Sequence, residues 1–172
     1  MNRVSIQKED FDLSAEVARL RASDGGVGAI ATFTGTVRDR NGAAAGQAVS
    51  AMELEHYPGM TESAIEAMID QALARFDIRG ARVIHRVGPL QALEQIVLVV
   101  VTSAHRGPAF QACEFLMDYL KTQAPFWKKE TTPEGAHWVD ARVADDAALA
   151  RWGIAASNGA DLTAPPVQGL LA

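Results

Sequence analysis

One short run, residues 96–101 (IVLVVV), constrains the fold of this chain more than any other stretch. It is apolar at every position, so a strand built from it has no side that suits water. Such a strand has to lie inside a sheet that is covered on both faces. The run is also far too short to cross a bilayer. We therefore place it at the centre of a sheet in a folded domain.

The other elements are predicted from periodicity and from turn residues. Ser14 and Thr61 are the expected N-caps of the first two helices, because serine and threonine hydroxyls satisfy backbone N–H groups there. The strands and helices mix without strict alternation, which favours an α+β fold with a mostly antiparallel sheet. The predicted strands are 27–37, 49–57, 81–87, 95–102, 127–131 and 137–142, the last two forming a hairpin around 133–135, and the predicted helices are 14–22, 61–76, a central one after residue 107, and 145–152.

The segment 103–130 (SAHRGPAFQACEFLMDYLKTQAPFWKKE) contains the central helix. Pro108 suits its first turn, where a missing N–H costs nothing, and Pro125 cannot continue it. The spacing of three and four residues predicts one buried stripe. Lys121 falls on another face, and the chain after Pro125 starts a new extended segment. The predicted stripe consists of Phe110, Cys113, Met117 and Leu120.

Lysine is unevenly distributed in this chain. Of the 16 basic residues only four are lysines, Lys8, Lys121, Lys128 and Lys129, and three of them fall within nine positions of an acidic protein of net charge -5. An arginine keeps its proton in proteins, whereas a lysine amine whose pKa is lowered can act as nucleophile, acid or base. The clustering suggests amine chemistry. The alternative is a structural one, because helix C-termini attract cations.

Several common functions lose support from the sequence. It contains no GxGxxG, P-loop or GxSxG pattern, its four histidines lack the spacing of a metal site, and its acidity argues against general nucleic-acid binding. No metal or cofactor is expected. What remains is a set of cations at element ends, where anions are usually held. They suit a phosphorylated heterocycle, bound either by an enzyme or by a regulatory module. These cations are Arg38, His105, Arg106, Lys121, Lys128 and Arg142.

The length of 172 residues fits one domain. We expect it to span residues 1–152, with a mobile loop at 41–48 and a disordered tail at 153–172, because both segments are rich in glycine and alanine without periodicity. The single cysteine, Cys113, is expected to be buried and inert. The absence of a disulfide framework or a signal peptide favours a cytoplasmic protein.

The chain resembles a known family at motifs distributed from about residue 3 to residue 152. The most specific is MDYLKTQAPFWKKE at 117–130, and the others are FTGTVRD (33–39), LEHYPGM (54–60), IHRVG (84–88), VTSAHR (101–106) and TPEG (132–135). They are similar to those of the large, catalytic subunits of molybdopterin synthase, the MoaE family. The resemblance implies an α/β-hammerhead fold, in agreement with the α+β prediction.

The resemblance also implies an activity and an assembly. The family is a sulfurtransferase that converts cyclic pyranopterin monophosphate into molybdopterin during molybdenum cofactor biosynthesis. The sulfur comes from the thiocarboxylate on the C-terminal glycine of a small ubiquitin-like partner. Two large subunits form a homodimer with one small subunit at each end, a heterotetramer. Carried over by motif, Lys121 and Lys128 are catalytic, and the substrate contacts are Thr36, Val37, Arg38, His105, Arg106, Lys121, Lys128, Lys129 and Glu130.

In the mechanism expected from this resemblance, Arg38, His105 and Arg106 hold the phosphate. The pKa of Lys121 is expected to be lowered by Lys128 and by partial burial, so that the amine moves protons or briefly accepts the acyl group of the partner. The chain has no exposed sulfur carrier of its own, which agrees with a donor partner. A non-catalytic module that binds a phosphorylated metabolite and a structural dimer scaffold are the alternatives.

Overall fold

The computed structural model describes residues 2–41, 47–48, 51–139 and 146–154. The elements are β1 (Val4–Gln7), α1 (Leu13–Arg21), β2 (Ala29–Thr36), β3 (Arg40–Asn41), β4 (Gln47–Ala48), β5 (Ala51–His56), α2 (Met60–Arg75), β6 (Gly80–Arg86), β7 (Gly88–Leu90), β8 (Gln95–Ser103), α3 (Arg106–Gln123), β9 (Phe126–Thr132), β10 (Gly135–Val139) and α4 (Asp146–Ala150). Among these residues, no helix is long and apolar enough to span a membrane.

The main sheet has the strand order β1-β6-β8-β2, with the apolar run in β8 between two antiparallel neighbours. Among the described strands, β1 alone pairs in parallel, with β6. Val97, Val99 and Val101 pack towards α2 and α3, while Leu98 and Val100 pack towards α1. The predictions of a central strand covered on both faces and of a mostly antiparallel α+β fold are therefore confirmed.

A second sheet has the order β10-β9-β5-β7 and is antiparallel throughout. The predicted hairpin is present as β9 and β10, with Gly135 at a positive φ of 124°. β7 was not predicted, because the sequence around Pro89 resembles a turn. A small core joins the two sheets. Its buried residues are Val37, Met52, Leu54, Val87 and Leu90, with Phe126 packed against them.

Both predicted N-caps are wrong by two residues. Asp12 caps α1, its carboxylate accepting from the N–H of Ala15 at 3.0 Å. Gly59 precedes α2, and its N–H donates to the Glu62 carboxylate at 2.7 Å. Thr61 is buried instead, and its hydroxyl donates to the carbonyl of Pro125 at 3.1 Å. A hydroxyl that suits a cap locally is thus used to connect α2 with the chain after α3.

The predicted stripe of α3 is only half correct. Cys113 and Leu120 are buried, but Phe110 is 67% exposed. The buried sector is rotated away from Phe110 around the helix axis. In the first two turns it is formed by small residues, which pack against β2 and β8, and in the later turns by larger ones. This sector consists of Ala109, Ala112, Cys113, Phe115, Leu116 and Leu120. On α2, Leu73 is 38% exposed, although its neighbour Ala72 is fully buried.

The remaining predictions concern segments that the structure describes in part. α4 occupies the predicted position of the last helix. Arg40 and Asn41 pair with Ala48 and Gln47 at the base of the predicted mobile loop, but residues 42–46 lie outside the described part of the chain. So do Arg142 and residues 155–172, which cover nearly all of the predicted tail.

Candidate active site

Lys121 lies at the end of α3, which stops where Pro125 requires it to stop. Ala124 has an extended backbone (φ −73°, ψ 130°), as expected for a residue before proline. The neighbours Leu120 and Thr122 are buried, whereas the Lys121 side chain is exposed. The expected partial burial of Lys121 is therefore wrong for the single chain. Its amine lies at the protein surface, where a substrate or a partner chain can contact it.

Lys128 and Glu130 project from the same face of β9, because successive side chains of a strand alternate. Lys128 is opposite Leu54 and Glu130 is opposite Met52, so both side chains share a face with the small core. Glu130 is 5% exposed, and its carboxylate lies 2.5 Å from the Lys128 ammonium. Lys128 is thus a half-buried amine held by a buried carboxylate.

Lys129 points to the opposite face of β9. It pairs across the sheet with Glu53 and Trp138, and its ammonium lies 5.7 Å from the centre of the Trp138 ring. The sequence places Lys128 and Lys129 side by side, but the strand separates their side chains.

Thr36, Val37 and Arg38 lie at the end of β2, next to the small core. A register shift separates Gly35 from Thr36. The Val37 side chain is buried. Its N–H donates to the carbonyl of Glu94 at 2.9 Å, and its carbonyl accepts from the N–H of Leu93 at 2.8 Å. Thr36 and Arg38 are exposed. Val37 therefore fixes the segment, while Arg38 extends into solvent at the end of the molecule that also carries Lys128.

His105 and Arg106 lie at the other end of the main sheet. Ala29 pairs with Ser103 and Thr36 pairs with Gln95, so seven residue steps of β2, about 24 Å, separate the two ends. Arg106 and Lys121 are fifteen residues apart on α3, a rise of about 22 Å. Within one chain the predicted phosphate contacts are thus not brought together: Arg38 is with the lysines, and His105 and Arg106 are not.

The unpaired cations distinguish this arrangement from ordinary surface charge. Within the described chain, the side chains of Arg38, His105, Arg106 and Lys121 have no hydrogen bond or ion pair. Most other described arginines have such partners, although Arg21 does not. Arg106 moreover occupies the first turn of α3, where the helix dipole disfavours a cation. Its position is better explained by an anionic ligand than by helix stability.

Lys8, the fourth lysine, lies at the same end as Arg38 and was not predicted as a site residue. A Cβ added at Gly88 would lie 3.6–3.7 Å from Cγ, Cδ and Cε of Lys8. Gly88 pairs with Leu54, which pairs with Lys128. Lys8 lies far from the other three lysines in the sequence, so the sequence pattern did not indicate that it belongs with them.

The remaining candidates for chemistry are suppressed by burial. Burial raises the pKa of the Cys113 thiol to about 11, so the thiolate is disfavoured. Burial also lowers the pKa of His85 to about 4. The Nδ1–H of His85 donates to the carbonyl of Arg86 at 2.8 Å, and its ring stacks on Phe126 at 3.9 Å. His85 is therefore a neutral structural histidine. The described residues contain no group of three metal-ligating side chains.

Comparison with protein families and curated proteins gives a consistent result. The family model described as MoaE protein matches residues 6–123. The molybdopterin synthase catalytic subunit of Ralstonia nicotianae is 59% identical over 164 residues, which cover 95% of this chain and 92% of that protein. The protein of the same name from Escherichia coli is 48% identical over 150 residues, covering 87% and 97%.

Solved structures agree with these relatives. The MoaE protein of Burkholderia ambifaria has a TM-score of 0.77 and 58% identity, covering 90% of this chain and 99% of that one. Molybdopterin synthase from Staphylococcus aureus has a TM-score of 0.72 and 30% identity, covering 81% and 98%. A complex of subunits 1 and 2 of the molybdopterin-converting factor from Helicobacter pylori matches with a TM-score of 0.64 at 18% identity, which shows the common fold.

Proposed function

The chain belongs to the MoaE family, and we propose that it transfers sulfur as the catalytic subunit of molybdopterin synthase in molybdenum cofactor biosynthesis. Its substrate is cyclic pyranopterin monophosphate, and its sulfur donor is the C-terminal thiocarboxylate of a small ubiquitin-like partner. The observation that carries the proposal is the exposed Lys121 amine at the end of α3, followed along the chain by Lys128, a lysine held by a buried carboxylate. Such a pair supplies the amine chemistry that acyl transfer requires.

The donor has to be external, because Cys113 does not suit a sulfur carrier. Its thiol is buried and its pKa is raised to about 11, whereas carrier thiols need exposure and a lowered pKa. A free, buried cysteine also fits a reducing compartment. We therefore place the reaction in the cytoplasm.

In the proposed mechanism the thiocarboxylate sulfur attacks a side-chain carbon of the pterin, and the oxygen on that carbon is protonated and leaves as water. The new C–S bond makes a thioester that joins the partner's acyl group to the pterin. Lys121 then accepts the acyl group or delivers a proton as water attacks, so that the sulfur stays on the pterin and the partner leaves as a carboxylate. Lys128 stabilises the negative charge that develops on the acyl oxygen. Glu130 holds the Lys128 amine in place rather than contacting the substrate. A second molecule of the partner, again with a C-terminal thiocarboxylate, delivers the second sulfur.

The phosphate contacts come from two copies of the chain in this proposal. Arg38 lies about 24 Å from the end of the sheet that carries His105 and Arg106, so one chain cannot place all three on one phosphate. In the described chain β2 has a hydrogen-bonded neighbour on one side only. Its other edge is long and uncharged, which makes it suitable for pairing with another strand.

Antiparallel pairing of β2 with β2 of a second copy would bring Arg38 of one copy close to His105 and Arg106 of the other. A two-fold axis near the middle of the strand sets the Ala29 end of one copy beside the Thr36 end of the other. His105 and Arg106 of the second copy then approach Arg38 of the first. Phe33 on β2 is 39% exposed and Phe110 on α3 is 67% exposed, so both elements offer apolar surface to a second copy. The homodimer thereby completes two equivalent sites, in which Thr36 and Val37 position Arg38 and Lys129 makes no direct contact.

The experiment is sulfur transfer in a defined mixture. The purified chain, the thiocarboxylated small partner and cyclic pyranopterin monophosphate should yield the dithiolene product, detected by mass spectrometry. The variant Cys113→Ala should give the same yield per folded molecule, since its thiol takes no part. Binding of substrate and partner without any transfer would contradict the enzyme and support a binding module. Loss of transfer in folded Cys113→Ala would make the cysteine part of the chemistry.

A further inference from the structure

Leu93 has an unusual backbone and an unusual exposure. Its φ is 74°, and it is the one described residue other than glycine with a positive φ. Its side chain is 83% exposed, the largest value among the exposed large apolar side chains. The left-handed region disfavours a γ-branched side chain and costs glycine nothing. A leucine here is costly for folding on both counts, so its side chain needs another explanation.

The turn that carries Leu93 is held rigidly. The Glu94 carboxylate accepts from the N–H of Gln91 at 2.6 Å and from the guanidinium of Arg86 at 3.3 Å. Arg86 is 7% exposed and also donates to the carbonyls of Lys8 and Gln95 at 3.0 Å each. A buried arginine thus fixes the glutamate, and the glutamate fixes the turn. The leucine side chain is presented to solvent in one place rather than on a flexible loop.

The turn also adjoins the candidate active site. The N–H of Leu93 donates to the carbonyl of Val37 at 2.8 Å, and the N–H of Val37 donates to the carbonyl of Glu94 at 2.9 Å. Val37 immediately precedes Arg38. The turn at Leu93 and Glu94 is therefore joined by two direct hydrogen bonds to the segment that carries a predicted phosphate contact, at the end of the sheet where Lys8 and Lys128 lie.

We propose that Leu93 is a docking contact for the small sulfur-carrier partner, next to the path by which the partner's tail reaches Lys121. This inference rests on the proposed function. A tail that ends in small residues offers little apolar surface, so the globular body of the carrier has to be held by contacts outside the catalytic groups. A rigid, exposed leucine beside Arg38 supplies such a contact, because an apolar anchor loses little entropy when it is already fixed.

A second copy of this chain is a poorer occupant for Leu93. The edge proposed for pairing of two copies is the free edge of β2. Leu93 instead hydrogen-bonds to Val37, just after β2, on the opposite edge, which faces β8. It lies at the end of the sheet, beyond the first residue of β8, rather than along the free edge. A chain that approaches the lysines from the end of the sheet covers Leu93, and a chain that pairs along the edge does not.

The test compares Leu93→Gly with Leu93→Met. Glycine removes the side chain and relieves the backbone, whereas methionine keeps an apolar side chain of similar size. Affinity for the small partner in its unreactive carboxylate form is measured by calorimetry, together with melting temperature and oligomeric state. We expect Leu93→Gly to bind the partner about tenfold more weakly, with an unchanged or higher melting temperature. Leu93→Met and the remote control Leu73→Ala should bind as the native chain does.

Each other result overturns the inference in a recognisable way. Equal partner affinity in Leu93→Gly shows that the side chain is not a docking contact. A fall in melting temperature shows that it stabilises the fold instead, and a shift from dimer to monomer assigns it to the contact between copies. If the native chain itself neither binds the carrier nor transfers sulfur, the proposed function fails as well, which separates that failure from the failure of this inference.

Discussion

Arg82, in β6 of the main sheet, and Arg106, at the start of α3 just after β8, differ in burial and in hydrogen bonding. Arg82, on the face covered by α1, is 8% exposed, and all three of its guanidinium nitrogens donate: to Glu16 at 3.1 Å, to the carbonyl of Asn2 at 2.9 Å and to Ser5 at 2.8 Å. Arg106, at the start of α3, is exposed, and no described residue pairs with it.

The difference is the one that we propose between structural charge and functional charge. A buried cation is tolerated only when its hydrogen bonds are satisfied, which explains the complete set of partners around Arg82. An acidic chain has many carboxylates with which to neutralise a surface cation, and it leaves Arg38, Arg106 and Lys121 without one in its described part. The first arrangement holds α1 on the sheet, and the second keeps cations available for an anionic ligand. Five experiments test this distinction.

The largest effect is expected for Lys121→Arg, which keeps the charge and removes the amine. Sulfur transfer should fall roughly 10³-fold, because a guanidinium can neither accept an acyl group nor exchange a proton. Melting temperature and substrate affinity should stay close to the native values. Single-turnover product formation measures the loss, with Lys129→Arg, whose side chain lies on the opposite face of β9 from Lys128, as the matched control. Near-native turnover in Lys121→Arg would reduce this lysine to a fixed charge and weaken the distinction.

Arg82→Leu should be the most destabilising of these changes. It removes the buried partner of the Glu16 carboxylate, which keeps only the exposed Arg19, and breaking a buried ion pair costs about 3–5 kcal/mol of unfolding free energy. Urea denaturation measures the loss, and Arg21→Leu on exposed α1 surface should stay within about 0.5 kcal/mol of native. Transfer activity per folded molecule should be unchanged. Lost activity in folded Arg82→Leu would place a paired, buried arginine in the function.

Arg106→Ala should weaken substrate binding by about 1.5–3 kcal/mol, the usual contribution of a charge-assisted hydrogen bond. Stability should not fall, because the change removes a cation from a helix N-terminus. Calorimetry with the cyclic substrate measures the affinity. Unchanged affinity would place the phosphate elsewhere.

Arg106→Ala and Arg38→Ala copies, refolded together in equal amounts, give a sharper result. If each site takes Arg38 from one copy and Arg106 from the other, mixed dimers hold one intact site, and about a quarter of the native sites return. If both arginines of a site come from one chain, the mixture stays as inactive as the separate variants.

The smallest expected effect is a pH dependence of stability caused by His85, whose buried ring is neutral in the folded protein. Because burial lowers its pKa to about 4, the folded state keeps the ring neutral while the unfolded chain takes up a proton near pH 6.5. His85 therefore contributes stability that is fully present above pH 6.5 and is lost as the pH falls towards 4. Between pH 7 and pH 5 the loss should reach at most about 2 kcal/mol. His85→Gln should remove this slope in urea denaturation, and an equal slope in the variant would assign the pH dependence to other groups.

Local constraints were readable from the sequence because they act over a few residues. The run in β8 had to be covered on both faces, Pro125 had to end α3, and the turn at residues 133–135 had to reverse the chain. Each of these predictions is confirmed. The N-caps and the orientation of Phe110 were not predicted correctly, because several neighbouring residues could serve locally and the packing partner decided between them.

The sequence by itself determined the family, the identity of the candidate cations and the order of the elements, since motifs, residue types and breakers are all properties of short stretches. Only the tertiary structure decided where those cations lie. Strand alternation sends Lys128 and Lys129 to opposite faces, the antiparallel pairing of β2 with β8 places Arg38 and Arg106 at opposite ends, and a buried arginine fixes the turn that exposes Leu93. Such relations depend on which strands pair and in which direction, and these pairings form between residues distant in the chain, so no local pattern specifies them.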